Sequence, residues 1–180
     1  LALLIVVGLP FLRVEFGMAD DRQLPAGAES RQVTDALRED FATAVTGTVE
    51  VLVHSPPEET DTDVLASYTL ALSNLEHVAE VRSPLGTHVD GERTADRTPM
   101  DAMRETDEQT YLQVVPETGV EDISPESQQL VRDIRAVSTP METSVSGQAA
   151  AVVDARNAIA DQLPVALVVI VLGMLALVLL

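Results

Sequence analysis

Residues 48–54 read Thr-Val-Glu-Val-Leu-Val-His. This β-branched, partly alternating run predicts a strand, which Ser55-Pro56-Pro57 closes. Outward from it the elements fall in order. A helix starts near Asp61 or Thr62 with an apolar stripe at Val64, Tyr68, Leu72 and Leu75. Val78–Arg82 reads as a short second strand ended by Ser83-Pro84. Residues 84–109 are rich in charge, Gly, Pro and Thr with little periodicity, and are expected to be a long mobile loop. Tyr111–Val115 resumes as a strand. Ser124-Pro125-Glu126 supplies an N-cap, a proline at the first helical position and an acid in the first turn. The helix they open carries Leu130, Val131, Ile134 and Val137 and breaks at Thr139-Pro140. Glu142–Ser146 is a last strand, stopped by Gly147.

The order from Gly47 to Gly147 is therefore β-α-β-β-α-β, the ferredoxin-like split pattern within an α+β fold. It predicts one antiparallel sheet of four strands with two helices on one face. The Thr48–His54 strand should lie beside the Tyr111–Val115 strand in the centre.

Both flanks are hydrophobic. Residues 1–12 read LALLIVVGLPFL and residues 163–180 read LPVALVVIVLGMLALVLL. A bilayer core of about 30 Å needs about 20 apolar residues at about 1.5 Å each. The second run nearly qualifies, and from Val165 to Leu180 it carries no polar side chain. Such a helix, apolar on every face, suits lipid better than a small core. The first run lacks the small-residue cleavage site of a signal peptide. The chain is thus expected to be an internal piece of a membrane protein. It divides into the end of a transmembrane helix at 1–12, an exit segment and helix at 13–46, a domain outside the lipid at 47–147, and a helix continuing into a span at 148–180. Ser30 is the expected cap of the helix before Gly47, whose stripe is Val33, Leu37, Phe41 and Ala44. The final helix starts near Gln148, and Pro164 is expected to bend it at the membrane surface.

The 180 residues carry 29 acidic and 11 basic side chains, a formal net charge of −18. That surface repels phosphate backbones, so nucleic acid is not an expected partner. Arg13 is the one close base at the first exit, which favours an extracytoplasmic domain. There is no cysteine, so no disulfide frames the fold.

Site chemistry is sparse. His54, His77 and His88 lack metal-binding spacing and read as solvated or capping residues. The carboxylate runs at Glu58-Glu59-Thr60-Asp61-Thr62-Asp63 and Glu105-Thr106-Asp107-Glu108 lack the spacing of a calcium loop and read as solvated surface. No nucleophile elbow or phosphate-cradling loop occurs. No catalytic residue, metal ligand or cofactor is therefore expected, and no substrate-binding residue is assigned. Asp154 and Asp161, with Asn157 between them, share one face of the last helix. They form either a polar vestibule above the membrane or an ordinary solvated face.

Three stretches carry a family resemblance. They are the exit Phe16-Gly17-Met18-Ala19-Asp20-Asp21-Arg22-Gln23-Leu24-Pro25 with Glu29-Ser30-Arg31-Gln32, the β-α-β-β-α-β pattern, and Val145-Ser146-Gly147-Gln148-Ala149-Ala150-Ala151-Val152-Val153-Asp154 leading to Leu163-Pro164. Together they resemble the second half of an MMPL-type transporter of the resistance-nodulation-division superfamily. The resemblance implies a porter domain in a multi-pass cell-membrane protein that exports lipids, siderophores or drugs on the proton gradient. Its partners would be the bilayer, the other porter domain and membrane helices of the same transporter, and an amphiphilic substrate. The family's proton-relay carboxylates lie in membrane helices outside this chain. The alternative is an extracytoplasmic sensor domain of a two-helix receptor, and an enzyme is the weakest reading.

Overall fold

A computed structural model describes residues 24–40, 47–54, 62–106 and 108–179. The sheet is built on Val49–Val53 (β1) and Thr110–Pro116 (β5), which pair antiparallel with Val49 opposite Val114 and Val51 opposite Leu112. The central pairing expected from the sequence is therefore present. Val78–Ser83 (β2) flanks β5, and Thr143–Ser146 (β6) flanks β1. Two further strands, Gly86–Val89 (β3) and Glu92–Asp96 (β4), extend the sheet to six in the order β4-β3-β2-β5-β1-β6.

The alternation of β1 explains the core. Val49, Val51 and Val53 point to one face with Leu112 and Val114 from β5 and Val81 from β2, all essentially solvent-free. The helices Thr62–Ser73 (α2) and Pro125–Ala136 (α3), with the first turns of Gln148–Leu179 (α4), contribute to this same cluster. Leu65, Tyr68 and Leu72 come from α2, Leu130, Val131 and Ile134 from α3, and Ala149, Ala150 and Val153 from α4. Three helices rather than the expected two thus feed one core. On α2 Tyr68 and Leu72 are buried as expected, while in the first turn the buried side chain is Leu65 and Val64 is half-buried. Leu75 packs at the margin.

The cap of α3 is as its sequence dictates. Ser124 Oγ accepts from the Ser127 amide at 3.2 Å, and Pro125 occupies the first turn. Glu126 sits there too. Backbone hydrogen bonding at its own position and the Ser124 side chain hold its carboxyl below the usual range.

Residues 84–109 are not a structureless loop, contrary to the sequence reading. They hold the β3–β4 hairpin and a 3-10 turn at Asp101–Arg104. The hairpin escapes a periodicity search because β4 is exposed along its whole length. The 3-10 turn lies against β2 and β5 on the other sheet face. There the Arg104 guanidinium stacks 5.5 Å from the Tyr111 ring centroid and its Nη2 donates to Gln113 Oε1 at 3.3 Å. The Asp101 carboxylate accepts from the Thr98 amide at 2.8 Å and from its hydroxyl at 2.6 Å, which keeps the carboxyl acidic.

Upstream, Glu29–Asp40 (α1) starts one residue before Ser30, so Ser30 is its second residue rather than its cap. Its stripe residues Val33 and Leu37 are exposed. Phe41 and Ala44, the expected membrane segment 1–12 and the exit through Gln23 lie outside the described residues.

Candidate functional site

The place where the sheet hands over to α4 carries the most organised polar geometry. Gly147 joins β6 to α4 with φ +124°, and a Cβ there would stand 2.9 Å from the Thr48 carbonyl oxygen. Only glycine suits both conditions. The first turns of α4 are then locked by burial of Ala149, Ala150, Val152 and Val153. The alternation of small and branched apolar residues lets this helix root sit close to α3 and the sheet.

Two polar ties reinforce the root. Arg135, in the last turn of α3, donates from Nη1 to Asp154 Oδ1 at 2.6 Å and from Nη2 to Oδ2 at 3.0 Å. Its Nη2 also reaches the Val145 carbonyl at 3.4 Å, so one guanidinium joins α3, β6 and α4. Arg135 hydrogen bonding holds the Asp154 carboxyl below its usual range. One turn away, Arg156 Nη1 donates to Gln128 Oε1 at 2.8 Å, while Gln128 Nε2 donates to the Ile123 carbonyl at 2.9 Å. An open cavity of about 430 Å³ borders the first tie, lined by Arg135, Thr143, Ser144, Val145 and Asp154.

Asp154 is accordingly tied to the helix root although, like Asn157 and Asp161 on the same face, it is exposed. The three residues share one solvated face, and Asp154 carries the tie to α3. Beyond Arg156 no described α4 residue is buried. From Asn157 outward the rod is about 34 Å long at about 1.5 Å per residue. It passes through Pro164 without interruption, the described run Val165–Leu177 being exposed throughout. Among the described residues this is one helix long and apolar enough to cross a membrane.

The histidines are placed differently from one another. His54 Nε2 lies 2.7 Å from Ser144 Oγ, and the Gln109 side-chain amide nitrogen lies 3.4 Å from His54 Nδ1. The tautomer of the ring sets which of the two, imidazole or serine, donates across the shorter contact. His77 ends the α2–β2 turn at φ +68°, near Glu76 and Glu117. His88 departs from the sequence reading. It is buried on β3, 3% exposed, not solvated in a loop. Among the described residues no three His, Cys, Asp or Glu side chains converge as metal ligands. Residues 55–61, with most of the first carboxylate run, lie outside the described residues.

No family model matches the chain. The chain is similar to a curated bacterial membrane protein. That relative is Membrane protein YdfJ of Bacillus subtilis (strain 168), 26% identical over 172 residues. The match covers 94% of this chain and 21% of the relative, so the chain spans about one fifth of the length of the protein it resembles. The similarity and the apolar α4 both point to a membrane-associated piece of a larger protein.

Proposed function

We propose that residues 47–147 are an extracytoplasmic porter domain of a proton-driven exporter of lipids or other amphiphilic molecules, of the MMPL type in the resistance-nodulation-division superfamily. The observation that carries the reading is the continuity of α4. A helix whose first two turns give Ala149, Ala150 and Val153 to the domain core leaves it as an exposed rod that is apolar from Leu163 onward, close to the length of a bilayer core. The strand arrangement supports the same reading. Apart from the edge hairpin, the order β2-β5-β1-β6 is that of a ferredoxin-like sheet with its two crossover helices. In this reading a second transmembrane helix precedes α1, and the domain rocks against a partner domain of the same protein. Its motion passes into the bilayer through α4, since the buried Ala149, Ala150 and Val153 couple the helix root to the core and the Arg135–Asp154 tie adds to that coupling.

The absence of cysteine makes the placement testable. A single cysteine at the exposed Ser138 of the intact protein should react with a membrane-impermeant maleimide in whole cells. Labelling only after lysis would place the domain on the wrong side. For coupling, Pro164→Ala restores a helical hydrogen bond at the base of the rod. It should alter export while leaving surface expression normal, and unchanged export would remove the helix as the transmitting element.

A further inference from the structure

We propose that the β3–β4 hairpin is an acid-sensitive element, opened when His88 takes up a proton. His88 pairs across strands with Val81 on β2 and Arg93 on β4 and points to the covered side of the sheet, beneath α2. It is 3% exposed, and its Nδ1 has no hydrogen-bond partner. A neutral imidazole tolerates that site, whereas an imidazolium there has a second N–H to satisfy and a charge to solvate.

The charged surroundings supply no compensation. On β4, Arg93 faces His88 directly and is itself paired with Asp96 at 3.4 Å, while Glu92 is opposite Val89. On β2, Glu80 and Arg82 pair with each other, and Arg82 alternates to the face opposite Val81. On α2 the charged side chain is Asp63, in the first turn, while Tyr68 is directed at Thr143 on β6. In the turns, Asp90 is exposed at the hairpin tip, and His77 sits between Glu76 and Glu117. Burial first, and Arg93 second, push the His88 pKa below its ordinary 6.5, with backbone groups of Val81 and Gly86 acting the other way.

The hairpin is otherwise lightly fastened to α2. Its tip is held by the Gly91 amide donating to Ser73 Oγ at 3.1 Å, from a backbone at φ +74° that favours glycine. The sign of the linkage follows. A depressed folded pKa leaves the hairpin fully stable above the ordinary value. Opening then becomes more favourable by tenfold per pH unit below it, until the folded pKa is reached. Between pH 7.5 and 5.5 the opening constant should rise, with about tenfold as the ceiling that the ordinary value allows.

The test is amide hydrogen exchange on the full chain in detergent micelles, each rate divided by its intrinsic value at that pH. Amides of Thr87–Glu92 should show this rise while those of Val49–Val53 do not. His88→Phe should flatten the hairpin response, and Arg93→Gln, by relieving the repulsion and raising the folded pKa, should end the rise at higher pH and shrink it. A pH-independent hairpin, or a rise that survives in His88→Phe, overturns the proposal. If His88→Phe does not fold, Arg93→Gln decides: a rise of undiminished size is equally fatal. The experiment measures no transport, so it stands apart from the proposed exporter role.

Discussion

Replacing Gly147 with alanine tests whether the junction between β6 and α4 is as constrained as its geometry implies. The residue has φ +124°, a region that non-glycine residues occupy at a cost of about 1–3 kcal/mol. The new methyl would also stand 2.9 Å from the Thr48 carbonyl oxygen and 3.6 Å from the Val49 Cα. Those atoms belong to or adjoin β1, which is paired on both sides by β5 and β6, so they have little freedom to retreat. The two costs add, and the loss should reach about 2–4 kcal/mol, a drop in melting temperature of roughly 5–15 °C at this chain length. Gly119→Ala is the matched control. Gly119 has φ +97°, but a Cβ there meets nothing within 4 Å, so only the backbone cost applies. Thermal unfolding of both variants, followed by circular dichroism of the full chain in micelles, gives the comparison. Equal losses for the two would refute the close contact with Thr48, and a Gly147→Ala melting point within a degree of wild type would refute the whole account of the junction.

Leu72→Ala removes a solvent-free side chain between α2 and the sheet and should cost about 2–5 kcal/mol, read from the same melts. Asp154→Asn breaks a bidentate pair whose carboxylate is 58% exposed, so solvent screening limits the loss to about 1 kcal/mol or less at pH 7. Because Arg135 holds the folded carboxyl below its ordinary 3.8, that contribution is complete above the ordinary value and lost as pH falls through the folded one. Wild type and Asp154→Asn should therefore converge as pH falls through the folded value, and a gap that stays constant with pH would mean the pair is not its source.

The β1–β5 centre was legible because both strands put β-branched or leucine side chains at every second position of one face. The α3 boundaries were legible because Ser124-Pro125-Glu126 meets three local requirements at once. The α2 stripe was legible at Tyr68 and Leu72, but its first-turn member was not, because Val64 and Leu65 are both apolar and only the packed sheet chooses between them. The hairpin was missed for a different reason. β4 contributes no apolar side to the core, and β3 buries Gly86 and His88 in place of larger apolar residues. The available signal was local: Asp90-Gly91, both at positive φ, is a two-residue hairpin turn. At the α4 root, the spacing of Asp154, Asn157 and Asp161 identified a common face, but Arg135 lies 19 residues away in sequence from Asp154 and its pairing depends on how α3 and α4 pack.

The hairpin also changes what the sheet presents to other molecules. Without it, β2 would be the outermost strand on that side, with an unpaired row of backbone donors and acceptors beside Val78 and Val81. Such a row is a template for a stray strand from another chain. β3 covers it, and β4 moves the boundary out to Glu92-Arg93-Thr94-Ala95-Asp96, a short strand whose exposed charges disfavour edge-to-edge pairing. The insertion between β2 and β5 is thus a guard for colloidal solubility, and each opening of the hairpin bares the row that it protects.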